Sequence, residues 1–124
     1  MMPTEELPNV VTVPAGDRPF SVTRTSGGVR LTRNVAGSNK FIVVDAADVP
    51  ALAGGILQLV EGDALATTIS PTDPTRGGGV LLLDRMRTGV IRMSRPELPS
   101  EPWLAMTDSQ AVDVALGMLE VAGG

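Results

Sequence analysis

Between residues 49 and 60, Val49, Leu52, Ala53, Ile56, Leu57 and Val60 recur at the i, i+3, i+4, i+7, i+8, i+11 spacing of a helix with one apolar stripe. Ala111, Val114, Ala115, Met118, Leu119 and Ala122 repeat that spacing, each 62 positions further on. Upstream of each helix the period changes to two. SVTR and VRLTR alternate apolar with polar around TSGG, a hairpin pattern, and KFIVV follows the loop NVAGSN. In the second half VLLLDRMR and VIRMSR flank TG, and PWLAM follows PELPSEP. Thr107 with Gln110 predicts a capping box for the second helix. Asp45 and Asp48 hold the matching positions of the first half, and Pro50 makes Asp48 the competing N-cap.

The offset of 62 aligns residues 27–62 with 89–124 without a gap, in a chain of 124 residues. GGVRLTR thereby falls on GVIRMSR, and the protein reads as a fused duplicate. The predicted fold is α+β: two tandem, pseudo-symmetric β-β-β-α repeats, with antiparallel sheets and one amphipathic helix each, in one compact domain. Residues 1–19 form an acidic, proline-rich arm whose VVTV patch is expected to pair with a sheet edge or a neighbour. Repeat 1 occupies 20–62 and repeat 2 occupies 80–124. The proline- and glycine-rich segment 63–79 is expected to be a crossing loop.

Composition then narrows the chemistry. The chain has no cysteine and no histidine, which removes disulfides, thiolate nucleophiles, the commonest general base and the commonest metal ligands. Of the paired carboxylates, Asp45 with Asp48 reads as helix capping and Asp63 with Asp73 lies in a loop. RGGG before a strand is not a phosphate-binding loop, which needs GxxxxGK[ST] leading into a helix. The expectation is therefore a protein that is not an enzyme, with no cofactor and no metal. Asp45, Asp48 and Pro50 interrupt the apolar run 41–60, so no membrane span is predicted. The start shows no export signal, which points to a cytoplasmic protein.

The formal net charge is -4, yet its distribution is uneven. All ten basic residues lie outside the helices, five per half, while the helices carry only acidic charge and the arm is acidic but for Arg18. Period-2 alternation puts Val29 and Leu31 toward a helix, so Arg30 and Thr32 face the other way, as do Arg92 and Ser94. Guanidinium groups with neighbouring hydroxyls bind phosphate oxygens. On that ground Arg24, Arg30, Thr32, Arg33, Arg85, Arg87, Arg92, Ser94 and Arg95 are candidate nucleic-acid contacts. Arginine and threonine also serve simply to keep an open sheet face soluble, and both readings stay open. Phe20, Phe41 and Trp103 are the only aromatics. Phe41 and Trp103, at equivalent places in the third strand, are expected in the core.

Basic hairpins followed by one amphipathic helix, duplicated in one chain, resemble the PUR-repeat and PC4-like group of single-stranded nucleic-acid-binding proteins, to which the Whirly proteins are similar in plan. The residues carrying the resemblance are GGVRLTR, GVIRMSR and the strand-to-helix joins FIVVDAADV and WLAMTDSQA. It implies strands of DNA or RNA bound on curved sheets, and dimers or paired repeats joined through helices. This chain shows about three strands per unit where that group has four, with few aromatics and one lysine.

Opposite its apolar stripe the first helix presents Ala47, Ala51, Gly54, Gly55 and Gln58, an uncharged back. Two adjacent glycines cost about 1 kcal/mol each relative to alanine in a helix interior, so a close neighbour is expected. The corresponding places of the second helix hold Asp113, Leu116, Gly117 and Glu120. Ala51, Gly54, Gly55, Gln58 and Gly117 are therefore candidate interface residues, the first helix packing on its own sheet and also on the second helix or a second subunit of a homodimer. Two functions follow. One is a non-enzymatic binder of single-stranded DNA or RNA using the basic sheet face. The other is a structural or assembly subunit, or an adaptor for a protein partner, of a kind encoded by phages.

Overall fold

A computed structural model describes residues 10–15, 18–35, 38–62, 66–70, 81–94 and 104–123. They form two antiparallel four-stranded sheets and two helices, a mixed α+β fold in which the strand-strand-strand-helix pattern occurs twice. The first sheet runs in the order β1 (Val10–Val13), β2 (Phe20–Thr25), β3 (Gly28–Val35) and β4 (Ser38–Asp45). The second runs β5 (Ala66–Ile69), β6 (Leu81–Arg85), β7 (Ile91–Ser94) and β8 (Leu104–Met106). A 3-10 turn at Ala46–Asp48 leads into α1 (Val49–Glu61), and α2 (Asp108–Ala122) follows β8.

Each sheet thus has one strand more than the repeat pattern predicts. The VVTV patch supplies β1, which pairs with the edge of β2 from Val10 opposite Thr23 to Val13 opposite Phe20. ATTI supplies β5, inside the segment expected to be a crossing loop; it pairs with β6 from Ala66 opposite Asp84 to Ile69 opposite Leu81. Both hairpins turn on one glycine in the left-handed region, Gly27 (φ 87°) and Gly89 (φ 92°), a conformation that a side chain disfavours. The capping box of α2 is present: the Gln110 amide donates to Thr107 Oγ1 at 3.2 Å, and the Thr107 amide donates to Gln110 Oε1 at 2.9 Å. Asp48 stands at the N-cap of α1 without a side-chain capping bond, because the 3-10 turn brings its backbone into the helix already curled (φ -93°, ψ -10°).

The helices do not lie on their own sheets. An ideal Cβ placed on Gly55 of α1 would come 3.1 Å from Thr67 Cγ2 and 3.2 Å from Leu83 Cδ1, on β5 and β6. One on Gly117 of α2 would come 3.0 Å from Val11 Cγ1 and 3.7 Å from Val22 Cγ2, on β1 and β2. Each helix therefore crosses the sheet of the other half, closely enough that a Cβ at the crossing would press on side chains of that sheet, and the two helices also pack on each other. Burial follows this exchange. The expected stripe residues Leu57 and Val60 pack against the core half-buried, with Gly55 and Leu59 fully buried beside them, and Gly117 and Val121 widen the second stripe in the same way. One core results, uniting Phe20, Leu31, Leu52, Ile56 and Val22 with Leu83, Ile91, Met93, Leu104 and Met118.

The pairing makes the internal symmetry exact residue by residue. Val10 and Ala66 face Thr23 and Asp84, which in turn face Arg30 and Arg92. The offset between halves is thus 56 in the first strand, 61 in the second and 62 from the third onward. A longer β5–β6 connection and one extra residue in the second hairpin account for the two steps.

Candidate functional site

The nine candidate nucleic-acid contacts separate by sheet face. β2 alternates Phe20, Val22 and Arg24 on the helix-bearing side, and β3 alternates Val29, Leu31 and Arg33 there. Arg24 and Arg33 therefore lie on the inner side of the sheet, as does Arg85 in line with Leu81 and Leu83. Their guanidinium groups bind the protein itself. Arg24 Nε donates to the carbonyl of Val121 at 3.1 Å, in the last turn of α2. Arg85 donates to the carbonyl of Leu59 at 2.6 Å, in the last turn of α1. Arg24 stands opposite Val29 and Arg85 opposite Ile91, so these two bonds are symmetry equivalents. In each half an arginine at the end of the second strand caps the helix of the other half, where unpaired carbonyls and the negative end of the helix dipole favour a cation.

The Arg85 clasp has additional anchors, and Arg33 makes a separate link between the sheets. Arg85 donates to the Gly89 carbonyl at 2.8 Å and to Asp108 Oδ1 at 3.0 Å, so one side chain joins the end of α1 to the start of α2. Arg33 lies over the Phe20 ring at 4.6 Å and donates to the carbonyls of Arg18 (2.9 Å), Ala105 (3.3 Å) and Ala15 (3.4 Å). It ties the first sheet to β8 of the second.

The outer faces are left to Arg30, Thr32, Arg92 and Ser94, while Arg87 stands exposed in the second hairpin and Arg95 lies outside the described residues. Two symmetry-related rows of side chains cross these faces. On the first sheet the row is Val10, Thr23, Arg30, Val43; on the second it is Ala66, Asp84, Arg92, Ala105. In the second row the charge is closed: Arg92 Nε donates to Asp84 Oδ1 at 3.0 Å and Nη2 to Oδ2 at 2.8 Å. That hydrogen bond raises the pKa of Arg92 above its ordinary value, against the opposing effect of burial and with the Coulomb attraction of Asp84 adding to it.

In the first row threonine replaces the aspartate. Arg30 is exposed, and among the described residues no carboxylate lies within ion-pair distance of it. Its guanidinium instead lies over the Phe41 ring, 5.3 Å from the centroid, an attraction to the ring quadrupole. Phe41 is thus not a core residue. It sits on the outer face at 53% exposure, because it faces Thr32 and not Leu31 across the strand pair. Its row continues through Thr32, Ser21 and Thr12, all of them hydroxyl-bearing. Val10, also 53% exposed, and half-buried Val43 flank this centre, and Asp45 closes one end. Trp103, the counterpart of Phe41, lies outside the described residues.

The candidate interface residues divide as well. Gly55 and Gly117 are buried at the helix crossings, whereas Ala51, Gly54 and Gln58 stand exposed in the single chain, and nothing lies within 4 Å of a Cβ placed on Gly54. A further recess of about 180 Å³ opens at the end of α2, lined by Arg24, Thr25, Gly27, Gly28, Ala46 and Val121. Among the described residues no group of three or more acidic side chains is placed to hold a metal ion, and no helix is long and apolar enough to cross a membrane. The chain matches no family model, no curated protein and no solved structure.

Proposed function

We propose that this protein is a non-enzymatic docking or assembly module that receives a protein partner on the outer face of its first sheet. The observation that carries this reading is the contrast between the two equivalent rows. In the first row an exposed arginine stands between valines, with no ion-pair partner among the described residues; in the second the arginine stands beside alanine and is closed by aspartate. Aromatic residues and arginine are enriched in protein interfaces, and lysine and glutamate are depleted. With strands about 4.8 Å apart and about 3.3 Å of rise per residue, the face offers about 400 Å². That is roughly half of one side of a standard stable interface, and it suits a strand or loop of a partner better than a broad flat surface.

A photo-crosslinking side chain at position 41, compared with one at position 105, tests this in cells that express the protein. A defined protein adduct is expected at 41 and none at 105. Equal adducts at both positions would remove the first sheet's special role.

The stacking of Arg30 on Phe41 supports a second reading, a weak single-strand site in which a base stacks on that pair. It is the less favoured one. Each neutralised phosphate of a single strand contributes about -0.7 to the slope of log K against log salt. Arg24, Arg33, Arg85 and Arg92 are already engaged within the protein, so the described outer face has one arginine to give such a slope. Titration of labelled single-stranded DNA and RNA at low and high salt, beside light scattering, separates the readings; tight binding with a slope steeper than about -2 would favour nucleic acid.

A further inference from the structure

We infer that the partner segment is extended, partly apolar and acidic, and that a carboxylate of it takes the place at Arg30 that Asp84 takes at Arg92. This inference rests on the docking reading above. The second sheet contains a worked example of the pair: a carboxylate one strand over from the arginine, on the same face, is bound by both Nε and Nη2. In the first sheet that strand position holds Thr23, whose hydroxyl supplies no charge. Among the described residues no carboxylate takes the Arg30 donors that Arg92 spends, and the Phe41 ring lies beneath the guanidinium with its centroid 5.3 Å away.

Charge and shape select the occupant together. Val10 and Val43 bracket Arg30 along the row, so an incoming strand meets apolar side chains on either side of the charge. A strand that alternates aliphatic and acidic residues satisfies both. A second copy of the chain stacked face to face would set its own Arg30 near this one, and a polyanion, which needs several cations side by side, finds one available arginine on the described outer face.

The test uses the full chain, labelled with nitrogen-15, and three capped ten-residue peptides alternating valine with glutamate, lysine or threonine. The valine-glutamate peptide is expected to move the Arg30 Nε–H signal and the amide signals of Thr23, Thr32 and Phe41, leaving Arg92 unmoved. Thr23→Asp should close Arg30 as Asp84 closes Arg92, and weaken binding by about tenfold or more, as loss of a charge-assisted pair implies. Thr23→Val, which removes the hydroxyl without adding charge, should keep affinity within about twofold of the parent. The fold tolerates the aspartate, since the same pair already stands in the second sheet.

Equal binding of the valine-threonine peptide, indifferent to Thr23→Asp, would overturn the carboxylate anchor while leaving the docking face in place. Absence of binding by the glutamate peptide would also overturn it, the docking reading then being judged by the crosslink at position 41. Oligothymidylate binding at these residues more tightly than the glutamate peptide would assign the face to single strands instead.

Discussion

The exchange of helices between sheets makes a sharp demand on one pair of positions. Gly117 belongs to the last helix and Val11 to the first strand, yet a Cβ on Gly117 would lie 3.5 Å from Val11 Cβ. That separation is at the short end of the range of about 3.5–4.5 Å spanned by disulfides. The chain has no cysteine, so a Val11→Cys, Gly117→Cys variant contains a single candidate pair. Closing a loop on the order of 100 residues stabilises by up to about 4.7 kcal/mol through the entropy of the unfolded chain. The close spacing strains the bridge, and about 3 kcal/mol is a realistic difference between oxidised and reduced forms. For a domain of this size that corresponds to roughly 10 °C in Tm. Thiol titration of the folded chain in a glutathione buffer, followed by melting with and without reductant, measures both quantities. Pairing Val11→Cys with Leu116→Cys is the control, since Leu116 points outward at 53% exposure. Two free thiols in the folded Val11, Gly117 variant, or equal closure of the control, would refute the placement of α2 on the first sheet.

Three other outcomes follow from the same geometry. Gly54→Ala should raise stability by about 1 kcal/mol in urea unfolding, because its Cβ enters open space, whereas Gly55→Leu should destabilise by about 2 kcal/mol or more by driving side-chain atoms into Thr67 and Leu83. Arg85→Met should lower Tm by about 8 °C, corresponding to about 2 kcal/mol after allowance for partial solvent screening of its three bonds; Arg24→Met should lower it less, its clasp being more exposed. Thr107→Ala should cost about 1 kcal/mol through loss of the capping box, with far-ultraviolet dichroism unchanged at low temperature.

Much of the fold was legible because the elements that carry it are local. The helical period, the two hairpins and the capping box depend on residues close in sequence, and the duplication at 62 repeats those local patterns without a gap. β1 and β5 were harder to place as a matched pair, since their offset is 56 and no sliding comparison at 62 can bring Val10 onto Ala66. ATTI also sits among prolines and glycines, whose composition speaks for a loop, and four residues give too short an alternation to oppose it. The exchange of helices was not legible at all. An amphipathic stripe shows that a helix has a sheet to cover and does not say which one. The paired glycines were the available hint, for Gly55 and Gly117 recur at the repeat offset and mark a close crossing at both places.

The candidate site shows the same limit at the level of single arginines. Alternation along β3 separates Arg30 from Arg33 correctly, one outward and one inward, and would have moved Arg24 and Arg85 inward had it been applied to the second strands too. What the arginines bind was beyond reach, because Arg24 and Arg85 are bonded to carbonyls of helices that the repeat pattern assigns to the opposite half. The difference across the strand from the outward arginines, Thr23 against Asp84, was hidden by the single extra residue in the second hairpin. At an offset of 62 Thr23 falls on Arg85, and only the strand register restores its true counterpart. Both halves carry an outward arginine, and the residue across the strand, threonine or aspartate, decides which of the two is closed by a carboxylate within its own sheet. Fusion into one chain permits that inequality, since two identical subunits of a dimer would have to carry aspartate in both halves or in neither.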